Sequence, residues 1–427
     1  MNFKKIIASI MIAAMLFGFT ACTGSDGDTA STGSSVASQT DSKTSDGQTS
    51  ESKPQKMDVT LDVWHQYMPE VQKAIEEAFV GFSEETGIKV NFLKQEDIFK
   101  KFDMAIQSGD GPDLFISGND QVGKFVTMDG IDSIDNKVDK ALVSNLVETA
   151  VKGFIYQDKL YGLPAHFDTV ALIYNKAMVK EPPKTTDDLL KLGADFAKDG
   201  KYAVVFPPFD SYFNSAFFYG AGGSFLNDKG EPTIDSPENL NALKFLQDLS
   251  QYFPKDLDHQ LSTKLFLDEK AAMIISGPWE LAKIKEKKID YGIASLPIMS
   301  CSNKPAAPLF SMQGMLLSKD CTEKDAAVLA MQHFASEKVA KALAISGGYI
   351  VANNKAYEDS QVSSNADMLA FKKQVEVGVA TPNLAELGVL WEPWRQTLQD
   401  GVVLKKDAAE TLKKHQAAAV AAINNMK

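Results

Sequence analysis

Side chains able to attack, shuttle protons or hold a metal are sparse and poorly spaced in this chain. Its 5 His never fall into an H-x3-H or HExxH arrangement, and Cys301 and Cys321 lack the spacing of zinc ligands. No metal and no cofactor is therefore expected. There is no GxSxG elbow and no phosphate-cradling P-loop. Carboxylates are the remaining reactive class. A pair such as Asp168 and Asp210 could hydrolyse a glycosidic bond only if held about 5–9.5 Å apart across it. Nothing in the sequence sets that distance, and no enzymatic activity is expected.

The chain has 427 residues, 44% of them hydrophobic and 23% charged, an ordinary globular balance. Its formal net charge of -12 argues against nucleic acid, because no basic stripe is available to displace counterions. The same charge disfavours adsorption to anionic lipid. Lys4 and Lys5 precede an apolar run from Ile6 to Phe19 that ends in Thr20-Ala21. At roughly 14 residues this run falls short of the about 20 a membrane-spanning helix needs. Residues 1–21 therefore read as a secretory signal peptide. From Thr23 to about Lys56 the chain is Ser, Thr, Gly, Asp and Gln with almost no apolar residue, a solvated linker that cannot offset the entropy of ordering. About 370 residues remain, enough for two lobes. Outside the cell Cys301 and Cys321 could pair, and the sequence leaves a disulfide and free thiols equally open.

Hydropathy patterning sets out the elements of this body. Val59 to Trp64 alternates as a strand, and Pro69 to Glu85 carries Val71, Ile75, Ala78, Phe79 and Phe82 at helical spacing until Gly87 stops it. Ile88 to Leu93 reads as a strand. Glu96 to Ser108 reads as a helix with Phe99, Phe102 and Ile106 on one side. Gly109-Asp110-Gly111-Pro112 is a turn before the strand Asp113 to Ile116. This βαβαβ order predicts α/β structure with mostly parallel sheets flanked by helices. Ligands in such sheets gather beyond the carboxyl ends of the strands, where Trp64 to Tyr67 and Ser117 to Gln121 fall. Further strands are expected at Val170 to Tyr174, Tyr202 to Phe206, Ala271 to Ile275 and Tyr291 to Leu296. Helices are expected from Asp187 and from Ser236, the latter with Ser at its N-cap and Pro at its first position. The tail from Asp359 onward is mainly helical.

Several segments in this order resemble one family. They are Gly87-Ile88-Lys89-Val90, Gly109-Asp110-Gly111-Pro112-Asp113, Leu160-Tyr161-Gly162-Leu163-Pro164, Leu172-Ile173-Tyr174-Asn175-Lys176, Ser276-Gly277-Pro278-Trp279, and Pro382-Asn383 with Trp391. From about 58 to 400 the chain is similar to the extracellular solute-binding proteins of sugar ABC transporters, of the maltose and maltodextrin type. Thr20-Ala21-Cys22 resembles the lipobox of bacterial lipoproteins, with Phe19 where Leu is usual. The resemblance implies a lipid on Cys22 (palmitate among the acyl chains), a linker over 22–56, and a body held at the extracellular face of the cell membrane. It implies a two-lobed, periplasmic-binding-protein-like fold with the ligand cleft between lobes. The first lobe would comprise 57–166 and 315–358, the second 167–314 and 359–427. A monomer would close on an oligosaccharide, maltodextrin-like or related, and deliver it to the permease subunits of an ABC importer.

Sugars present apolar C–H faces and a rim of hydroxyls, so a site needs flat rings and well-placed polar partners. The resemblance assigns stacking roles to Trp279 and Trp391 and aromatic contacts to Tyr212 and Phe213. It assigns hydroxyl-binding carboxylates to Asp120, Asp168 and Asp210, and contacts after the first strand to Gln66 and Tyr67. His65 and His166 fall near the cleft as structural hydrogen bonders, and Trp64 reads equally as core. Three departures stand out. Ser117 replaces a stacking Trp, Gln121 replaces an Arg beside Asp120, and Met68-Pro69 stands where a Lys is expected. A different oligosaccharide or a shifted binding frame follows. The competing reading is the same fold holding a non-sugar solute, although the segments quoted contain no Arg for an anion.

Overall fold

The computed structural model describes residues 56–227 and 229–426. The expected signal peptide, Cys22 and nearly all of the expected linker lie outside the described residues.

Alternating residues of β1 (Val59–His65) send Leu61, Val63 and His65 into the interior. The helix Pro69–Thr86 buries the five apolar residues that its spacing selects and ends on Gly87, whose φ of 80° is a left-handed cap. Next come β2 (Ile88–Lys94), the helix Ile98–Ser108 and β3 (Leu114–Gly118). β1 pairs in parallel with both β2 and β3, as the βαβαβ order requires.

The chain then runs through β4 (Gly162–Asp168) directly into β5 (Ala171–Asn175). The helix Thr186–Lys198 follows, started by a reciprocal capping box between Thr185 and Asp188. Then come β6 (Tyr202–Val205), the helix Ser211–Gly220, and a helix from Pro237 to Ser250 capped by the Ser236 hydroxyl. β7 (Ala271–Ser276) and β8 (Tyr291–Ala294) complete a four-stranded sheet of order β8-β5-β7-β6. β9 (Leu309–Leu317), β10 (Ile350–Val351) and β11 (Val379–Ala380) return to the first sheet, whose order is β10-β4-β9-β3-β1-β2 with β11 alongside β9.

Both sheets are mixed rather than mostly parallel. β9 is antiparallel to β3 and β4, and β5 is antiparallel to β7 and β8. The reason is connectivity. A parallel neighbour needs a crossover helix, whereas β4–β5 and β9 carry the chain straight from one sheet to the other and back, so they enter reversed. The expected lobe boundaries at 166/167 and 314/315 fall inside β4 and β9.

Three such passages lie side by side. Thr169 donates through Oγ1 to the Leu309 carbonyl, and the Val379 amide donates to the Pro308 carbonyl. The helix Ala366–Val377 braces them. Gln374 accepts the Leu296 amide and donates to the Ala306 carbonyl, while Asp367 accepts the Tyr291 hydroxyl. Cys301 is exposed, Cys321 is buried, and the two are unpaired. No helix among the described residues is long and apolar enough to cross a membrane.

Candidate functional site

Where the strands of the two sheets end, a cavity of about 440 Å³ opens. Six of the nine expected ligand-binding residues line it: Asp120, Asp168, Asp210, Tyr212, Trp279 and Trp391. A smaller cavity of about 240 Å³ adjoins it, sharing Asp168, Trp279 and Gln313 and adding Gln66 and Tyr67. Phe213 reaches neither. It is buried behind the wall, edge-on to Trp279 with ring centroids 6.2 Å apart. One residue past Tyr212 on a helix is a turn of about 100°, which points Phe213 into the core.

Trp279 owes its position to the glycine two residues before it. A Cβ on Gly277 would stand 2.1 Å from the indole ring, so only glycine lets the ring fold back over the chain beyond β7. Trp391 sits half-buried on the helix Ala385–Leu398, its ring edge-on to Phe225, while Trp394 on the same helix is fully buried. Tyr212 keeps its ring at the cavity wall and donates its hydroxyl to the Asp168 carbonyl. Trp64 is half-buried against the first core.

The acids are held differently. Asp120 lies in the short turn Asn119–Gln121 after β3, accepting Gln121 Nε2 at 2.6 Å. A Cβ on Gly118 would come within 2.4 Å of its carboxylate, so here too a glycine makes room for the site. Asn119 locks this turn by donating to the Thr381 carbonyl and accepting the Met312 amide. Burial pushes the Asp120 carboxyl above the ordinary aspartate range, against the pull of Gln121 and Trp391. Asp210 caps the helix Ser211–Gly220 by accepting the Tyr212 and Phe213 amides, and burial raises its pKa as well. It is both a cap and a cavity wall. Asp168, the last residue of β4, has Oδ1 3.2 Å from Nδ1 of His166.

Gln66 is exposed and donates to the Glu96 carbonyl, whereas Tyr67 is buried and bonds His166 Nε2 at 2.9 Å. Burial lowers the His65 imidazole to about 4, and Nδ1 of this ring accepts the Tyr67 amide. Of the departing positions, Ser117 is buried with its hydroxyl on the Gly118 carbonyl, and Gln121 is committed to Asp120.

Several cavity residues lie outside the sequence-based set, Phe99, Gln313 and Arg395 among them. Phe99 is half-buried against the first core, as its spacing predicts, and also lines the cavity. Gln313 comes from the middle of β9. Arg395 also lines the cavity, although no Arg was anticipated there. Its position four residues after Trp391 was the available signal, since i and i+4 share a helix face. Its guanidinium is held by Glu392 through two bonds of 2.8 Å, and this pairing depresses the Glu392 carboxyl to about 2. Among the described residues no group of His, Cys, Asp and Glu could hold a metal ion.

A cleft between two α/β sheets, walled by half-buried rings and carboxylates and crossed by three adjacent passages, defines a solute-binding architecture. Residues 77–370 match the family described as bacterial extracellular solute-binding protein, and the chain belongs to it. It is 28% identical over 339 residues to a maltotriose-binding protein of Pyrococcus abyssi, spanning 77% of this chain and 74% of that one. It is 28% identical over 383 residues to the maltodextrin-binding protein MdxE of Bacillus subtilis, spanning 83% and 88%. Among solved structures, the maltose/maltodextrin-binding domain MalE of Bdellovibrio bacteriovorus bound to maltotriose superposes with a TM-score of 0.78 at 26% identity. That match covers 86% of this chain and all of the other.

Proposed function

We propose that this protein captures a linear oligosaccharide, maltodextrin-like or related, and hands it unchanged to the permease of an ABC importer. The observation that carries this reading is the shared wall of one cavity, where the rings of Tyr212, Trp279 and Trp391 meet the carboxylates of Asp120 and Asp168. Rings stack on sugar C–H faces, and carboxylates accept hydroxyl protons in short, charge-assisted bonds. Arg395 does not turn the site toward anions, because Glu392 already neutralises it.

In this reading, each of the two sheets with its flanking helices forms one lobe, the chain passing between them after β4 and before β9. They rotate about the three passages to close on ligand. Cys22 carries the lipid that holds the protein at the outer face of the membrane, with the linker to residue 56 as its tether. The body acts as a monomer and releases its sugar intact.

Isothermal titration against mono- and oligosaccharides tests the central claim, with micromolar or tighter binding of a maltodextrin or related sugar expected. Heat with a peptide or polyamine and none with any sugar would reject it. Mass spectrometry of the mature N-terminus tests the anchor: a diacylglyceryl mass on Cys22 supports it, and an unmodified terminus near Ala21 refutes it.

A further inference from the structure

The smaller cavity contains a buried histidine that the stacking-and-acid picture leaves without a task. His166 and Asp168 are two residues apart on β4, so both side chains project from the same face of the strand. The register of β4 against β9 shifts here. Gln313 pairs with His166 while Gly314 pairs with Pro164, leaving Ala165 as the extra residue of a bulge. Bulges re-aim the side chains beside them. The imidazole is 1% exposed and is gripped between two phenols. The Tyr67 hydroxyl lies 2.9 Å from Nε2, and the Tyr349 ring centroid lies 4.2 Å from its own.

Nδ1 faces an acceptor-only carboxylate, which assigns the ring proton to that nitrogen. Burial and the neighbouring Tyr349 and Asp168 keep the Tyr67 phenol protonated, so it retains a hydrogen that it can donate. Nε2 accepts that proton, and the ring proton resides on Nδ1, which faces Oδ1 of Asp168 at 3.2 Å. Oδ1 and Nδ1 are both shut off from solvent, and neither has a directed hydrogen bond. The other carboxylate oxygen is not so enclosed, and the Asp168 side chain is 16% exposed at the cavity wall.

We infer that His166 is a positioning residue. Held by Tyr67, it presents Nδ1–H to Oδ1 of Asp168 and so aims Oδ2 at one hydroxyl of the bound sugar. A ligand hydroxyl donating to Oδ2 draws the carboxylate into line with Nδ1–H and completes the bond that is misaligned here. The inference rests on the sugar reading and adds to it a residue that governs hydroxyl selectivity in the smaller cavity.

The test exploits geometry. An Asn amide can replace Nδ1 of His, and a Gln amide can replace Nε2. His166→Gln keeps the Tyr67 contact and loses the group facing Asp168, so its Kd for maltotriose should rise roughly tenfold, the size of one hydrogen bond to a charged group. His166→Asn should stay within about threefold of the wild type. A set of monodeoxy maltotrioses should contain one analogue that wild-type protein binds roughly tenfold more weakly and that His166→Gln binds as well as maltotriose. Equal losses in both variants, with the deoxy discrimination intact, would make His166 merely structural and overturn the inference. Should either variant misfold, ¹⁵N NMR of wild-type histidine decides. The Nδ1–H proton of His166 should move downfield when maltotriose saturates the protein, and an unmoved resonance would overturn it. Wild-type protein that binds no carbohydrate would sink the sugar reading together with this inference. Wild-type binding with an indifferent His166→Gln would sink this inference alone.

Discussion

The phenol of Tyr212 donates a 2.9 Å hydrogen bond to the main-chain carbonyl of Asp168. The bond ties a helix packed on the second sheet to the last residue of a first-sheet strand, at the start of a passage between them. Burial beside Asp168 holds the phenol protonated, so the donor is permanent. Tyr212→Phe should keep the stacking ring and lose only this tie, costing about 1 kcal/mol of stability in urea melts. Tyr212→Ala should lose the platform too and weaken sugar binding further. Equal affinities for the two variants would remove the ring from the ligand's path.

The tryptophans should separate by burial. Trp279 and Trp391 are half-exposed at the cavity, so alanine at either position should cost about 1 kcal/mol or more of affinity in titration calorimetry and leave the fold intact. Trp394 lies fully buried three residues from Trp391, stacked on Phe225 with centroids 4.0 Å apart. Trp394→Ala should destabilise by about 3–5 kcal/mol. Unchanged sugar affinity in Trp279→Ala would make that ring packing rather than platform.

This contrast also shows what a linear reading can see. The helix–strand alternation was legible because apolar spacing reports which face is buried, and Gly87 and Ser236 mark element ends by their own chemistry. Strand direction was not legible, because β4 and β9 look alike whichever way the chain enters a sheet. Trp279 was legible through the family resemblance, and the structure supplies the physical reason, because the ring folds back onto Gly277 where no Cβ would fit. Phe99 packs partly against the first core, as its spacing with Phe102 and Ile106 predicts, but that spacing does not reveal its second role at the cavity. Only the approach of the second sheet turns the first residue of that stripe into a cavity wall. Arg395 and Gln313 reach the cavity through long-range packing, which local pattern does not encode.

Asp120 should trade stability against binding. Burial raises its pKa, so the folded protein holds that proton more tightly than the unfolded chain does. The folded state is therefore disfavoured once pH rises through the raised value, and the penalty vanishes below the ordinary 3.8. Asp120→Asn should stabilise the sugar-free protein by about 0.5–1 kcal/mol at pH 7. The gain should fade on acidification. The same variant should bind sugar roughly tenfold more weakly, because a neutral amide accepts hydroxyl protons less well than a carboxylate. Wild-type affinity should begin to fall at a pH above the usual aspartate range, and the variant's should not. A less stable Asp120→Asn would show that Gln121 already compensates the charge.

Asp400 sets the opposite acid response. It sits in the π-helical turn Gln399–Val403, between the helix that carries Trp391 and the terminal helix Ala408–Asn424. Its carboxylate accepts Lys406 Nζ at 2.7 Å, Lys414 Nζ at 2.8 Å and His415 Nε2 at 3.1 Å. These partners, Lys406 foremost, hold its pKa well below the ordinary 3.8. The depressed value means the network stabilises the fold above that ordinary pKa and stops doing so as pH falls through the folded one. Both lysines are about half exposed, so solvent screens them, and Asp400→Asn should cost only about 1–2 kcal/mol at pH 7. In thermal melts the deficit should persist down to about pH 4 and then close, as wild-type protein loses the same stabilisation to protons. Because the turn anchors the Trp391 helix, sugar should protect the variant less than it protects the wild type. Coincident melting curves across the whole acid range would mean that Lys406, Lys414 and His415 contribute nothing to the fold through Asp400.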